Sequence, residues 1–319
     1  MGSYEEGTFT VPTIDLSEYL RQPNSECAED VIEQIRNACA TSGFFQLVGH
    51  NVPGALQQEA FAAAKAFFSL SDADKHKLRG KPGRGYEVIG TQFLEPGKQA
   101  DLKEGFFVGH EIAGLESSTL PFREPNVWPH EEQIPGSQFK EPLLKYHGAL
   151  LQLSLIIMRV LATGMKGFDT TVFADFCHEP IASLRLLHYP PHPDSDDETL
   201  VGTGAHTDFG AITLLLQDDK SGLQVLNQAS NKWFDVVPQK GAYVVNVGDM
   251  LDVWTGGAYK STVHRVINKS GGDRYSIPFF LDGNPDCTIR PLAEETGPWK
   301  IKPFTVQEHM MSRYAASYT

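Results

Sequence analysis

The apolar positions of this chain change period near its middle. In the first half they recur three and four residues apart, the spacing of a buried helix face. Ala28, Val31, Ile32, Ile35, Ala38 and Cys39 form one such stripe. A helix is predicted from Ser25, with Glu26, Glu29 and Asp30 near its positive end and Gly43 as its stop. A second predicted helix carries Leu56, Ala60, Phe61, Ala64, Phe67 and Phe68. Aromatic stripes of this kind are core. Ser71 with Asp74 three residues on resembles the cap of a short third helix. A long helix is predicted from Pro142, burying Leu143, Leu144, His147, Leu150, Leu151, Ser154, Leu155 and Met158. His147 is expected to be a packed histidine. Short strands are predicted at Val11 to Leu16 and Phe44 to Val48, and residues 80 to 139, rich in Gly and Pro, give no clear element.

From Leu184 the period shortens. Strand-like runs and turn signals alternate to about Pro291 with little helical spacing. That pattern predicts an all-β sandwich or barrel. Residues 293 to 303 read as a loop and Val306 to Ser317 as a final helix. No internal repeat or low-complexity linker is present.

Composition narrows the class. A chain of 319 residues, 41% hydrophobic and 21% charged, buries a large core and reads as a soluble globular protein. A net charge of −13 argues against nucleic acid as a partner. Cys27, Cys39, Cys177 and Cys287 show neither metal spacing nor a disulfide framework, so reduced thiols in a cytoplasmic protein are expected. The start, Met1 to Glu6, is acidic without an apolar run and is not expected to be a signal peptide; Gly2 lacks the myristoylation pattern. Leu150 to Met165 is interrupted by Gln152 and Arg159 and is short for a membrane span. Oligomeric state leaves no trace in the sequence.

The candidate chemistry lies between Ala205 and Ser276. His206 and Asp208 are two apart and share a face on a strand. Fifty-five residues then separate Asp208 from His264, ample chain to bring a second strand alongside. Two imidazoles and one carboxylate suit non-haem Fe(II) with open positions for an oxygenase. A zinc hydrolase is the competing metal reading. Arg274 and Ser276 are again two apart, a guanidinium fork and a hydroxyl that can hold a carboxylate. By themselves they are better explained by an ordinary salt bridge; with His264 ten residues upstream, an anion anchor is the expectation.

These stretches resemble the catalytic core of the Fe(II)/2-oxoglutarate-dependent dioxygenases, in the isopenicillin N synthase-like branch. The carriers are His206-Thr207-Asp208, His264, Val245 to Leu251 and Arg274 to Phe280. Val11 to Leu16, Gly43 to His50 and Tyr189-Pro190-Pro191 are similar to family segments in the expected order. The resemblance implies a mainly β fold with flanking helices around a distorted double-stranded β-helix, or jelly roll. It divides the chain into an N-terminal helix and strand region (1–140), a supporting helix and linker (141–180), the jelly-roll core (181–291) and a C-terminal loop and helix (292–319).

It further implies Fe(II) on His206, Asp208 and His264, with the far carboxylate of 2-oxoglutarate on Arg274, Ser276 and Tyr189. O2 would then hydroxylate a small organic substrate, or desaturate or cyclise it, while 2-oxoglutarate is decarboxylated to succinate and CO2. Secondary metabolism and a natural-product or nucleobase-like substrate follow by analogy alone. Many members have Asn two residues before the tyrosine, where this chain has Leu187, so one polar co-substrate contact is missing or supplied elsewhere. Gly83 to Tyr86 and Asp101 to Phe106 resemble segments at the mouth of the site, which makes Arg84, Tyr86, Gln92 and Phe106 candidate substrate contacts. His188 and His192 are expected to be structural or at the rim. Two other functions stay open at this level. One is a same-fold Fe(II) oxidase that does not use 2-oxoglutarate, in which Arg274 and Ser276 bind a substrate carboxylate. The other is a non-catalytic small-ligand-binding module.

Overall fold

A computed structural model describes residues 10–95, 97–111, 120–192, 200–268, 270–292 and 301–318. The first half alternates helices with short strands: β1 (Thr13–Asp15), α1 (Ser17–Arg21), α2 (Glu26–Thr41), β2 (Phe44–Val48), α3 (Gly54–Phe68), α4 (Asp72–Lys77), β3 (Gly85–Glu87), β4 (Glu104–Gly109), α5 (Lys140–Gly164) and α6 (Ala174–Cys177). The second half is strand-rich: β5 (Ile181–Tyr189), β6 (Thr203–His206), β7 (Ile212–Gln217), β8 (Leu223–Asn227), β9 (Lys232–Asp235), β10 (Tyr243–Val247), α7 (Asp249–Thr255), β11 (His264–Val266), β12 (Arg274–Gly283), β13 (Thr288–Ile289), β14 (Phe304–Thr305) and α8 (Val306–Ser317).

Two sheets form the core. The larger has the order β1-β2-β10-β7-β12-β5-β4-β3 and the smaller β6-β11-β8-β9. Side chains on a strand alternate faces, and here both faces of the large sheet are covered. Tyr243, Val245 and Val247 of β10, Leu214 and Leu216 of β7, Ile277, Phe279 and Leu281 of β12, and Leu184 and Leu186 of β5 pack in the main core with the helices. Their alternates Val244, Leu187 and Tyr189, with Leu215, pack against Leu223, Val225 and Val266 of the small sheet. Burial on both sides is why these strands read as near-continuous apolar runs.

The helices follow the apolar stripes. Ser25 caps α2 through its hydroxyl, which accepts from the Ala28 N–H at 3.2 Å, and Ser71 caps α4 at the Asp74 N–H. α5 is long and apolar enough to cross a membrane by length and composition, yet more than half of that window is buried inside the protein, packed on α2 and α3. It starts at Lys140, two residues before the predicted Pro142, and the first strand is shorter than predicted. Three short helices were not foreseen. α1 and α6 are single turns of five and four residues, too short to show a period. α7 interrupts the stretch read as strands; it buries Met250, Leu251 and Trp254 and ends at Gly256 in the left-handed region (φ 63°). Of the predicted loop at 293–303, residues 293–300 lie outside the described residues.

His147 is a packed histidine, 2% exposed. Its Nε2–H donates to the Ala182 carbonyl at 3.0 Å, and its ring stacks on His110 and meets the Phe279 ring edge-on. Burial pushes its pKa down to about 4. The unfolded chain therefore takes up this proton first, and stability present above pH 6.5 drains as the pH falls toward 4. Relative to His147→Gln, wild type should lose on the order of 3 kcal/mol between pH 7 and pH 4 in denaturant titrations. A difference independent of pH would show that His147 titrates like an exposed imidazole.

Candidate active site

β6 ends at His206 and β11 begins at His264, and the two residues are direct cross-strand partners. Asp208 lies just beyond β6. Oδ1 of Asp208 is 3.6 Å from Nε2 of both His206 and His264, and one ligand atom from each of the three residues falls within 4.8 Å of the others. At 3.6 Å these contacts are too long for hydrogen bonds. The outer atoms are all engaged. Nδ1 of His206 donates to the Gly204 carbonyl at 2.7 Å and Nδ1 of His264 to the Thr262 carbonyl at 3.1 Å. Protonation at Nδ1 leaves the Nε2 lone pairs facing inward. Oδ2 of Asp208 accepts from Thr213 Oγ1 at 2.5 Å and Asn246 Nδ2 at 2.7 Å, which leaves Oδ1 free.

The electrostatics agree with that geometry. Burial, helped by His206, pushes the His264 pKa down to about 4, so the imidazole is neutral. Burial opposes ionisation of Asp208, but His264, His206 and Asn246 outweigh it and hold the carboxyl well below the usual range. Two imidazoles and one carboxylate, each oriented from behind, fit a divalent iron with positions left open.

Arg274 and Ser276 stand on β12 opposite Tyr189 and Leu187 of β5. Arg274 is fully buried. Its Nη2 donates to Gln217 Oε1 at 2.8 Å, its Nε to the Lys220 carbonyl at 3.3 Å, and its guanidinium carbon lies 5.0 Å from the Tyr189 ring centroid. Its Nη1 has no partner, and among the described residues no carboxylate pairs with it. The ordinary salt bridge is thereby removed as an account of this arginine. Arg274, Ser276 and Tyr189 line a cavity of about 550 Å³, open mouth included, that runs to His206, Asp208 and His264. An orphaned guanidinium nitrogen beside such a cavity fits a dicarboxylate reaching from the cluster of His206, Asp208 and His264. Leu187 gives that cavity an apolar wall. Two cations the sequence did not flag, Lys103 and Arg185, also border it. Lys103 is paired with Asp101, whose Oδ1 accepts the Gly204 N–H at 2.9 Å and so ties this pair to the strand carrying His206.

A second cavity, about 500 Å³ with its mouth, adjoins His206 and Asp208 on the other side. Of the expected substrate contacts Gln92 is there, with Oε1 accepting from Arg185 at 3.0 Å. The other three are elsewhere. Arg84 is locked onto the carbonyls of Gly83, Phe122 and Glu124 at 2.7–2.8 Å. The Tyr86 hydroxyl donates to Glu104 at 2.7 Å. Phe106 points into the helix-side core against Phe67 and Phe139, while its neighbour Phe107 faces the cavity. His188 is bound between Glu104 and Asp273, and His192 to the Leu200 carbonyl.

α8 closes this side with Met310 and Tyr314, and Tyr318 follows it. The helix is keyed to the segment between His206 and Asp208 by Arg313, which pairs with Asp249 at 2.9 Å and donates to the Thr207 carbonyl at 3.2 Å. Asp249 also accepts from Thr207 Oγ1 at 3.1 Å and Ser261 Oγ at 2.8 Å. Nothing in the spacing of residues 306–317 indicates where that helix docks.

The chain is similar to known proteins along nearly its whole length. The pattern of the 2OG-Fe(II) oxygenase superfamily matches residues 180–283, and that of the N-terminal region of non-haem dioxygenases in morphine synthesis matches residues 11–131. The 2-oxoglutarate-dependent dioxygenase citB of Monascus ruber is 44% identical over 98% of this chain and 97% of its own. Clavatol oxidase claD of Penicillium crustosum is 39% identical over 98% of this chain and 97% of its own. Among solved structures, a full-length Neurospora crassa protein in complex with alpha-KG and thymine superposes with a TM-score of 0.85 at 28% identity, covering 98% of both chains. The relatives' dependence on 2-oxoglutarate sets aside the oxidase without it and the non-catalytic module, and the neighbours' double-stranded β-helix accounts for the two facing sheets. With identity of this order along nearly its full length, the chain belongs to the 2OG-Fe(II) oxygenase superfamily and is a 2-oxoglutarate-dependent dioxygenase that uses Fe(II) and O2 on a small organic molecule.

Proposed function

We propose that His206, Asp208 and His264 hold Fe(II), that Arg274, Ser276 and Tyr189 hold the far carboxylate of 2-oxoglutarate, and that the reaction is hydroxylation of a C–H bond on a small ring compound in the cytoplasm. The observation that carries this reading is the unpartnered Nη1 of buried Arg274, lining a cavity whose other end is the three inward-facing ligand atoms. Iron and 2-oxoglutarate, when bound, supply oxidation of the C–H bond by O2, coupled to loss of CO2 and formation of succinate.

The chain's own residues supply position and exclusion. Thr213 and Asn246 fix the Asp208 carboxylate so that a single oxygen faces the metal position. Tyr189 supports the guanidinium plane, and Ser276 adds a hydroxyl beside it. Leu187, Leu215, Leu223 and Val266 keep water from the same cavity, which strengthens each charged contact inside it. α8 covers the substrate side. The Neurospora crassa neighbour takes thymine and 5-formyluracil, and clavatol is named for the Penicillium relative, which supports a small ring as substrate. The four free cysteines fit a reducing compartment.

The test needs no substrate. Metal-free protein is loaded anaerobically with Fe(II), then with 2-oxoglutarate, and its visible absorption is followed. A weak band is expected only when both are present. Iron shown to be bound without any band on adding 2-oxoglutarate would sink the assignment of Arg274 and Ser276.

A further inference from the structure

The inner face of β12 continues past the co-substrate anchor. Arg274, Ser276, Phe280 and Asp282 fall on alternate positions of that strand, so Asp282 lies roughly 26 Å along from Arg274. Phe280 borders both cavities, and Asp282 borders only the one on the substrate side, together with His206 and Asp208. Asp282 is 4% exposed, and no hydrogen bond or ion pair joins its carboxyl to another described residue. Arg185, the cation lining the same cavity, is already engaged by Glu87 and Gln92. Gly210 leaves the carboxyl its room, since a Cβ there would sit 2.4 Å from Asp282 Oδ1.

A buried carboxyl without a partner destabilises a fold, and such groups concentrate where a ligand completes them. Burial disfavours the ionised form of this carboxyl, so a donor from a ligand is what it lacks. Around it the wall is apolar and largely aromatic, with Phe107, Phe209, Met310 and Tyr314. Such walls favour a flat ring, which gains edge and face contacts with them.

We propose that Asp282 is the specificity-determining residue of this enzyme, receiving the phenolic hydroxyl or ring N–H of a small planar substrate held among Phe107, Phe209 and Tyr314. The assignment rests on the dioxygenase reading of the adjoining metal position. A substrate lacking that donor leaves the carboxyl desolvated and unpaired, which is the condition under which polar sites reject close analogues most strongly.

Matched probes test it: thymine against 1,3-dimethylthymine, and 3,5-dimethylphenol against 3,5-dimethylanisole. Each is titrated anaerobically into protein loaded with Fe(II) and 2-oxoglutarate, and binding is read from perturbation of the visible band. Wild type should bind the N–H or O–H member at least about tenfold more tightly. Asp282→Leu, which keeps the branch point but replaces both oxygens with bulkier methyl groups, should keep the band and bind both members of a pair alike. Asp282→Asn, which keeps an accepting oxygen, should restore part of the preference. Equal binding of both members by wild type, or no binding of any probe at millimolar concentration, overturns the substrate class. A preference that survives in Asp282→Leu overturns the role of the residue. If the band never forms in wild type, the fault lies with the metal and co-substrate assignment. The preference is then read from probe-induced shifts in the Tm of metal-free protein.

Discussion

Asp208→Ala is expected to abolish iron loading and lower succinate release by on the order of a thousandfold or more, since even partners behind the ligands are typically worth ten- to a hundredfold. Asp208 is the sole carboxylate of the cluster, and its Oδ1 faces both imidazoles. An imidazole carries no negative charge, so His206 and His264 cannot replace the carboxylate. The same substitution strands two buried donors, Thr213 Oγ1 and Asn246 Nδ2, so the metal-free protein should also lose about 1–3 kcal/mol. Iron content by metal analysis, succinate release and denaturant unfolding read the three effects separately. Stoichiometric iron in a folded Asp208→Ala protein would remove this residue from the ligand set.

Arg274→Ala should act at the other end of the cavity and spare the iron. Truncating one partner of a buried charge pair commonly costs 2–5 kcal/mol, so 2-oxoglutarate affinity should fall on the order of a hundred- to a thousandfold. Arg274→Lys should recover only part of this, because an ammonium keeps the charge but loses the planar fork and the stacking on Tyr189. Titrating 2-oxoglutarate against the visible band of the iron-loaded variants gives both affinities. Unchanged affinity in Arg274→Ala, with iron retained, would mean that the co-substrate carboxylate binds elsewhere.

The candidate cluster was readable because its chemistry depends on residue type and on a period of two. His206 and Asp208, like Arg274 and Ser276, declare a shared face by spacing alone. Their meeting was not readable: the pairing of His206 with His264 depends on how the intervening β7 to β10 fold back. The substrate side was least legible. β4 is buried on both faces, so nothing in Gly105-Phe106-Phe107-Val108 tells which phenylalanine faces the cavity, and a phase error of one residue exchanges them. Asp282 was hidden in the same way, at the end of the apolar run Phe279-Phe280-Leu281. Lys103 gave no signal because β6, to which its close partner Asp101 is tied, comes from a distant part of the chain.

The histidines belong to the small sheet, whereas the atoms that grip Asp208 from behind, Thr213 and Asn246, belong to the large one. Iron held at this point would therefore be a rivet through a seam. It would join two layers that otherwise meet through apolar contacts, and a co-substrate anchored on β12 would add a second fastening across the same joint. The spacing between the layers then becomes a condition for chemistry. Apolar residues far from any reacting atom, such as Val225 and Val244, set how squarely the rivet seats.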